Sequence, residues 1–185
     1  MRYTDGFTGK AILALKEAIC AAEELGHTYI GSEHLLLGLL EEGSNAAAAM
    51  LAAQHITAQR VRNALVELVG RGIPAQVQED CLTPALSEIM QQAKAFSKED
   101  GRSLAGTEHL LRSILRTPCC TAVAILKKLG VSLNQLGAVS RQETSCHLRM
   151  EERRTERISK KTLSFEIEPL SVWEVDDRSG IAASI

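Results

Sequence analysis

The chain has 185 residues, a formal net charge of −2 and an aromatic content of only 3%. A nearly neutral chain has no overall positive field that would attract nucleic acid or an anionic membrane surface. With so few aromatic side chains, the core must be built from Ala, Leu, Ile, Val and Met, and Ala and Leu favour packed helices over a β-sandwich. We therefore expect an all-α protein that binds neither nucleic acid nor membrane.

The cysteine content and the first residues bear on the cellular compartment. The five cysteines are an odd number and include no CxxC pair, which is typical of reduced thiols. They are Cys20, Cys81, Cys119, Cys120 and Cys146. No apolar run approaches the roughly 18 residues of a membrane span, and no apolar signal region follows Met1. We therefore predict a cytoplasmic protein.

The chain contains an internal repeat. Residues 31–36, GSEHLL, return as GTEHLL at residues 106–111, 75 residues further on, and the same offset holds without gaps along both segments. The repeats span about 7–70 and 82–141, with a linker at 71–76. One repeat of roughly sixty residues buries little surface alone. We therefore predict that the two repeats pack about a pseudo-twofold axis in one domain, residues 1–141.

Each repeat predicts four helices, so the domain should be an eight-helix, all-α domain. Hydroxyl side chains stand where helices should begin, because they can accept hydrogen bonds from the free amides of a first turn. The predicted N-caps are Thr8, Ser32 and Thr57 in repeat one and Thr83, Thr107 and Ser132 in repeat two. Pro84 suits the first helical position, where its missing N–H costs nothing.

Other features place the remaining helices. Gly26 and Gly101 are predicted helix stops. The second helix of repeat one is apolar on nearly all sides, which predicts that it is buried. Third helices are predicted over 46–53 and 122–129. In the fourth helix of repeat one, the helical spacing places Val61, Leu65 and Leu68 on its inner face.

The repeat resembles a known family. Residues 7–40 contain FT…A…LGHTYIGSEHLLLGLL, which is similar to the repeat of the Clp-N domain, the amino-terminal domain of Clp-type protein-unfolding ATPases. Repeat two resembles it through LAGTEHLL at 104–111 and AILKKLGV at 124–131. The resemblance covers residues 7 to about 141 and is closest to the ClpC branch. It implies a module that docks substrates and adaptor proteins onto an unfoldase ring, and in that branch it also implies recognition of phosphorylated arginine.

Two departures from the family pattern are visible. The chain contains no GxxxxGK[ST] phosphate loop, so we expect no ATPase module. Repeat two has Arg112 and Ser113 where repeat one has Leu37 and Gly38, and RTPCC at 116–120 replaces the Gly-rich segment after the second helix. These changes predict that any ligand site in repeat two is weaker than the one in repeat one.

The candidate ligand-binding residues are Thr8, Glu33, Thr83 and Glu108. Glu33 and Glu108 lie in a first helical turn, where the helix dipole alone would favour an acid. A carboxylate also suits the guanidinium-like face of phosphoarginine, and free amides at a helix start suit its phosphate. Thr8 and Thr83 each begin the first helix of their own repeat, and the resemblance implies that Thr8 lies near Glu33.

Neither a metal site nor a catalytic site is indicated. His34 and His109 have no second ligand at i+3 or i+4, so a hydrogen-bonded structural role is expected and a zinc site is not. Cys119 and Cys120 show no spacing to a histidine that would give a nucleophile, a base and an orienting group. We therefore expect no metal, no cofactor and no enzyme activity.

The tail, residues 142–185, lies outside the resemblance. Residues 149–161 interleave basic and acidic side chains, which favours a solvated helix over a nucleic-acid surface. Residues 163–168 alternate apolar and polar side chains, which predicts a strand, and an isolated hairpin would be marginal in water. The tail is disordered, folded back on the domain, or a docking segment for a partner.

Two functions follow from these observations. The first is a free-standing, non-enzymatic binding protein of the Clp-N type, which acts as an accessory or competitor for the substrates or adaptor proteins of a Clp unfoldase. The second is a degenerate scaffold that has kept the fold, lost the ligand site and works through its tail as a regulatory or structural interaction protein.

Overall fold

The computed structural model describes residues 4–78 and 80–138; the tail predicted over 142–185 therefore lies outside the described residues. Seven complete helices are α1 (Gly9–Leu25), α2 (Ser32–Glu42), α3 (Ala46–Ala53), α4 (Ala58–Val69), α5 (Pro84–Glu99), α6 (Thr107–Arg116) and α7 (Thr121–Lys128). Residues 133–138 begin an eighth. Two isolated parallel bridges are the only β pairing in the described residues. The all-α, eight-helix prediction is confirmed.

The predicted caps of α1 and α5 are present. The Thr8 hydroxyl accepts a hydrogen bond from the amide of Ala11 at 3.4 Å, and Thr83 accepts one from Leu86 at 3.2 Å. Pro84 occupies the start of α5. Gly26 ends α1 with φ +72°, a left-handed conformation that favours glycine.

The first helical residues of α2 and α6 differ by one position from the prediction. Gly31 and Gly106 are the N-caps, so Ser32 and Thr107 are the first helical residues. Gly31 is extended, and its carbonyl accepts the amide N–H of Leu35 at 3.1 Å. A glycine takes the cap position because the Glu33 or Glu108 side chain occupies the space where a cap side chain would lie.

Helix α2 is buried from Ser32 to Leu39, as predicted for its apolar run, and it packs directly on the backbone of α1. A Cβ on Gly38 would lie 2.1 Å from the carbonyl oxygen of Ala14 and 2.7 Å from the amide nitrogen of Ala18. The absence of a side chain at Gly38 is therefore what permits this close approach. Repeat two has Ser113 at the equivalent position, and its hydroxyl donates to the carbonyl of His109 at 2.8 Å.

The two repeats are joined by an exchange of backbone hydrogen bonds. The amide of Thr8 donates to Ala105 at 2.9 Å, and the amide of Ala105 donates to Gly6 at 2.8 Å. In the other half, Thr83 donates to Ile30 at 2.9 Å and Ile30 donates to Cys81 at 2.8 Å. The 75-residue offset maps one set onto the other. This reciprocal pattern is the signature of a twofold relationship, here within one chain.

A single hydrophobic core runs through both repeats, from Phe7 to Leu136. Val61 and Leu65 face this core, but Leu68 is 48% exposed, so the prediction that it shares their inner face is wrong. The last turn of α4 contributes no buried side chain, because the helix extends past the edge of the core.

Within the described residues, no single helix is long and apolar enough to span a membrane. Only α2 and α3 taken together have the length and the apolar composition of a span, and they are bent sharply relative to each other.

Candidate functional site

Glu33 is the second residue of α2 and is only 3% exposed. Its side chain folds back over the helix N-cap, since a Cβ on Gly31 would lie 2.3 Å from Oε1. Repeat two repeats this arrangement, with Glu108 Oε2 2.4 Å from the Cβ position of Gly106. The glycine of the G-[ST]-E-H motif is therefore the residue that leaves room for the carboxylate.

His34 holds the start of α2 from inside. Its Nδ1 accepts the backbone N–H of Gly31 at 2.9 Å, so its proton is on Nε2, which donates to Nδ1 of His27 at 2.7 Å. Burial, together with the neighbouring His27, lowers the pKa of His34 to about 3. The neutral ring therefore forms no ion pair with Glu33, although Nδ1 lies 3.7 Å from Oε1. The predicted structural role of His34 is confirmed.

The Glu33 carboxylate has no cationic partner in the described part of the chain. Residues 4–78 and 80–138 place no lysine or arginine in an ion pair with it, and its hydrogen-bond donor is the Ser32 hydroxyl at 3.3 Å. That hydroxyl in turn accepts the amide N–H of Ala122 at 3.2 Å. A buried carboxylate without a cation is unfavourable unless something compensates it.

Tyr29 is a site residue that the sequence analysis missed. Its ring stacks on His27 with centroids 5.7 Å apart, and burial, together with the charge of Glu33, raises the pKa of its hydroxyl. The ring also meets His34, the residue after Glu33, with centroids 5.8 Å apart, so the aromatic side chain belongs to the same part of the molecule as the carboxylate. The signal was present in the sequence, because Tyr29 lies within the HTYIGSEH string and its counterpart in repeat two is Leu104.

The equivalent carboxylate in repeat two is paired inside the chain. Glu108 is 13% exposed, and its Oε1 lies 2.7 Å from Nη1 of Arg102, which is itself 17% exposed. Arg102 stands at the position of His27 in repeat one. This is a second residue that sequence reasoning missed, although it departs visibly from the family string.

Further charges surround the second carboxylate. His109 accepts the amide of Gly106 at 3.0 Å and donates to Asp100 at 3.2 Å, with its pKa lowered by burial. Arg112 contacts the same Asp100 carboxylate at 3.3 Å and lies over the ring of Phe96. Repeat one carries neutral residues at these positions, so the two carboxylates lie in different electrostatic surroundings.

The structure places Glu33 with the start of α5 and Glu108 with the start of α1, the reverse of the expected pairing. Thr83 is hydrogen-bonded to Ile30, three residues before Glu33, and Thr8 is hydrogen-bonded to Ala105, three residues before Glu108. The expectation that Thr8 lies with Glu33 is therefore wrong. The residues just before α1 hydrogen-bond to repeat two, and those just before α5 hydrogen-bond to repeat one. We call Glu33 with the start of α5 the Glu33 site, and Glu108 with the start of α1 the Glu108 site.

The corners after α2 and α6 also differ. Asn45 caps α3 through the amide of Ala48 at 2.7 Å and donates to the carbonyl of Leu39 at 2.7 Å. Its counterpart Cys120 places Sγ 3.8 Å from the carbonyl of Ile114 and provides no side-chain cap. Cys20, Cys81, Cys119 and Cys120 are free thiols, and the described residues contain no group of His, Cys, Asp or Glu that could hold a metal.

Comparison with known sequences gives related proteins. The chain matches the model of the Clp repeat (R) N-terminal domain at residues 6–95 and 81–161. ClpC/MecB of Bacillus subtilis, a negative regulator of genetic competence, is 34% identical over 134 residues, 72% of this chain and 16% of that protein. The chloroplastic chaperone ClpC1 of rice is 32% identical over 130 residues, 70% of this chain and 14% of that protein. The chain thus spans about a sixth of the length of these relatives.

Solved structures share the fold. The N-terminal domain of ClpD from Arabidopsis thaliana has a TM-score of 0.64 at 23% identity, and the match covers 75% of this chain and 97% of that domain. A ClpV N-domain in complex with a VipB peptide has a TM-score of 0.55 at 16% identity and is matched over 84% of its length, covering 73% of this chain. The match to the family model over residues 6–95 and 81–161, with relatives that are 32–34% identical, shows that the chain belongs to the Clp repeat N-terminal domain family.

Proposed function

We propose that this chain is a non-enzymatic docking module that binds polypeptides, namely the substrates or adaptor proteins of a Clp unfoldase. Its family membership supports this role, since a ClpV N-domain of the same fold is known in complex with a peptide. The absence of a phosphate loop from the sequence supports a role without ATP hydrolysis. The cytoplasm is the proposed location, as the sequence predicts.

We further propose that the Glu33 site recognises a guanidinium group, as in an arginine-phosphorylated protein. The single observation that carries this proposal is the state of Glu33, a buried carboxylate with no lysine or arginine paired to it in the described residues. A ligand guanidinium would supply the missing charge through charge-assisted hydrogen bonds. Tyr29, whose ring centroid lies 5.8 Å from that of His34, would be the aromatic side chain of the same site.

The start of α5 supports the anionic half of such a ligand. It adjoins the Glu33 segment through the Thr83–Ile30 hydrogen bond, and a helix N-terminus favours an anion. Thr83 caps Leu86 and Pro84 has no N–H, so the first turn offers fewer amides than most. Most of the affinity should therefore come from the guanidinium at Glu33.

Calorimetric titration with phosphoarginine tests this proposal. Glu33→Gln keeps the shape of the side chain and removes its charge, so it should weaken binding about tenfold to a hundredfold, the equivalent of a charge-assisted hydrogen bond. Glu17→Gln, which neutralises an exposed carboxylate on α1, is the control and should bind as the wild type does. No heat from the wild-type protein at millimolar phosphoarginine would contradict the ligand proposal.

One observation favours the degenerate-scaffold alternative for repeat two. The Glu108 carboxylate is already paired with Arg102, and the corner after α6 has lost the glycine and the asparagine of repeat one. If Glu33→Gln and Glu108→Gln both behave like the wild type in every ligand titration, the domain acts as a scaffold. In that case, deletion of residues 142–185 should abolish partner binding.

A further inference from the structure

We propose that Arg102 is an internal ligand of the Glu108 site: its guanidinium occupies the place that a ligand's guanidinium takes at Glu33. The chain therefore has one open site, and the second opens only when Arg102 leaves it. This inference rests on the proposed function for its ligand, but the occupancy of the Glu108 site by Arg102 is a property of the chain alone.

The first support is the comparison of two positions related by the repeat. Arg102 pairs with Glu108 at 2.7 Å. His27, 75 residues earlier, makes its bonds elsewhere, to His34 at 2.7 Å and to the carbonyl of Gly70 at 3.3 Å. The carboxylates themselves are placed alike, each folded over its N-cap glycine. The guanidinium beside Glu108 is thus a difference between two carboxylates that are placed alike over their N-cap glycines.

The second support is the poor satisfaction of the Arg102 guanidinium. Its Nε and Nη2 are buried and have no hydrogen-bond acceptor among residues 4–78 and 80–138. A buried guanidinium that bonds through one nitrogen is unfavourable compared with one fully bonded or hydrated. Glu108 is therefore the group that holds Arg102 in place, and the surrounding protein does not form a complete binding site for this side chain.

The neighbouring charges do not explain why Arg102 lies against Glu108. Arg112 and Asp100 neutralise each other at 3.3 Å, and Arg112 also lies over the Phe96 ring. These groups satisfy one another without Arg102. Removal of the Arg102 side chain should therefore leave a guanidinium-sized space beside the Glu108 carboxylate. Glu108 would then have no arginine paired with it, as Glu33 has none in the described part of repeat one.

Binding stoichiometry is the first test. The wild-type protein should bind one phosphoarginine per chain, and Arg102→Ala should bind two, the second with an affinity within about tenfold of the first. In the double variant with Glu33→Gln, one site should remain, and adding Glu108→Gln should remove it. A wild-type stoichiometry of two, or an Arg102→Ala stoichiometry of one, would overturn the proposal.

Chemical rescue is the second test and does not need the proposed function. Ethylguanidinium at low millimolar concentration should raise the Tm of Arg102→Ala by a few degrees and leave the wild-type Tm unchanged. Arg62→Ala is the matched control, because Arg62 pairs with the more exposed Glu24 and Glu41, and its removal leaves no enclosed space. Equal Tm shifts in the two variants, or none in Arg102→Ala, would overturn the proposal.

The outcomes separate the two proposals. If the wild-type protein binds no phosphoarginine while ethylguanidinium stabilises Arg102→Ala, the internal ligand is supported and the proposed ligand is wrong. If Arg102→Ala does not fold, Arg102→His, which restores the residue type of repeat one, replaces it in both experiments. Failure of rescue in that variant, with one binding site retained, counts against the proposal.

Discussion

The amide N–H of Thr83 donates to the carbonyl oxygen of Ile30 over 2.9 Å, and this bond joins the start of the second repeat to the segment that carries Glu33. The symmetric bond between Thr8 and Ala105 joins the first repeat to the segment of Glu108. Each candidate site is therefore built from both repeats, and neither repeat contains a complete one.

Buried Glu33 and partly exposed Glu108 should differ in their effect on stability. Glu108→Gln leaves the partly exposed Arg102 without its counter-ion and should lower the free energy of unfolding by about 1–3 kcal/mol. Glu33→Gln removes a buried charge that has no ion pair, so its effect should stay within about 1 kcal/mol. Urea denaturation measures both, and Glu41→Gln, which breaks the more exposed pair with Arg62, is the control. Equal losses of stability in Glu33→Gln and Glu108→Gln would contradict this account of their surroundings.

Gly31→Ala should separate binding from stability. The new Cβ would meet the end of the flexible Glu33 side chain, which can move, so the loss of stability should be under about 1 kcal/mol. The displaced carboxylate should lower phosphoarginine affinity at least about tenfold. Gly106→Ala makes the same change at the other site, and calorimetry should find its affinity unchanged. A Gly31→Ala protein that binds as tightly as the wild type would show that the carboxylate position is unimportant.

Gly38→Ala should be far more damaging to the fold. Here the new Cβ would meet backbone atoms of α1, 2.1 Å from the Ala14 carbonyl oxygen, so the helices must move apart. Overpacking of this kind costs about 1–3 kcal/mol or more. Gly9→Ala, whose Cβ would meet nothing within 4 Å, is the control for the loss of a helical glycine and should leave the Tm nearly unchanged. Similar Tm values for the two variants would argue against the close packing of α1 and α2.

Acid should destabilise the domain through His34. Its folded pKa of about 3 lies below its ordinary value of 6.5, so between these values the unfolded chain binds the extra proton. The stability contribution is therefore complete above about pH 6.5 and falls as the pH drops, by up to ~1.4 kcal/mol per pH unit for this group. His34→Asn should flatten the dependence measured by urea denaturation between pH 7 and pH 5. The substitution His55→Asn, at an exposed histidine, is the control, and an equally flat curve from it would contradict this assignment.

The sequence predicted the fold well because its signals are local or repeated. The hydroxyl caps at Thr8 and Thr83 and the apolar run after Glu33 give the helices, and the 75-residue offset gives the two repeats. The hydrogen bonds that join the start of each repeat to the other repeat could not be predicted in this way. A twofold-symmetric pair of repeats shows the same sequence pattern whether Thr8 contacts its own repeat or the other one.

The difference between the two sites was only partly predictable. Arg112 and the corner at Pro118 are visible departures from the repeat. Arg112 pairs with Asp100 near the second site, but the residues after the corner contact the first site, since the amide of Ala122 donates to Ser32. Arg102 replaces the histidine of the LGH string, yet its position alone does not indicate which carboxylate it meets. Its contact with Glu108 depends on where each side chain points. Leu68 was predicted to face the core and is exposed, because helical spacing gives the face of a helix but not the point at which the core ends.

The central claim is that one open site is formed across the repeats by Glu33 and the start of α5. Amide chemical shifts followed during a phosphoarginine titration test it most directly. The account predicts that Gly31, Glu33 and Ala85 shift together with one Kd while Thr8 and Glu108 stay in place. Movement of the Thr8 amide signal together with that of Glu33 would contradict it. So would a titration in which neither the Glu33 nor the Glu108 amide signal moves.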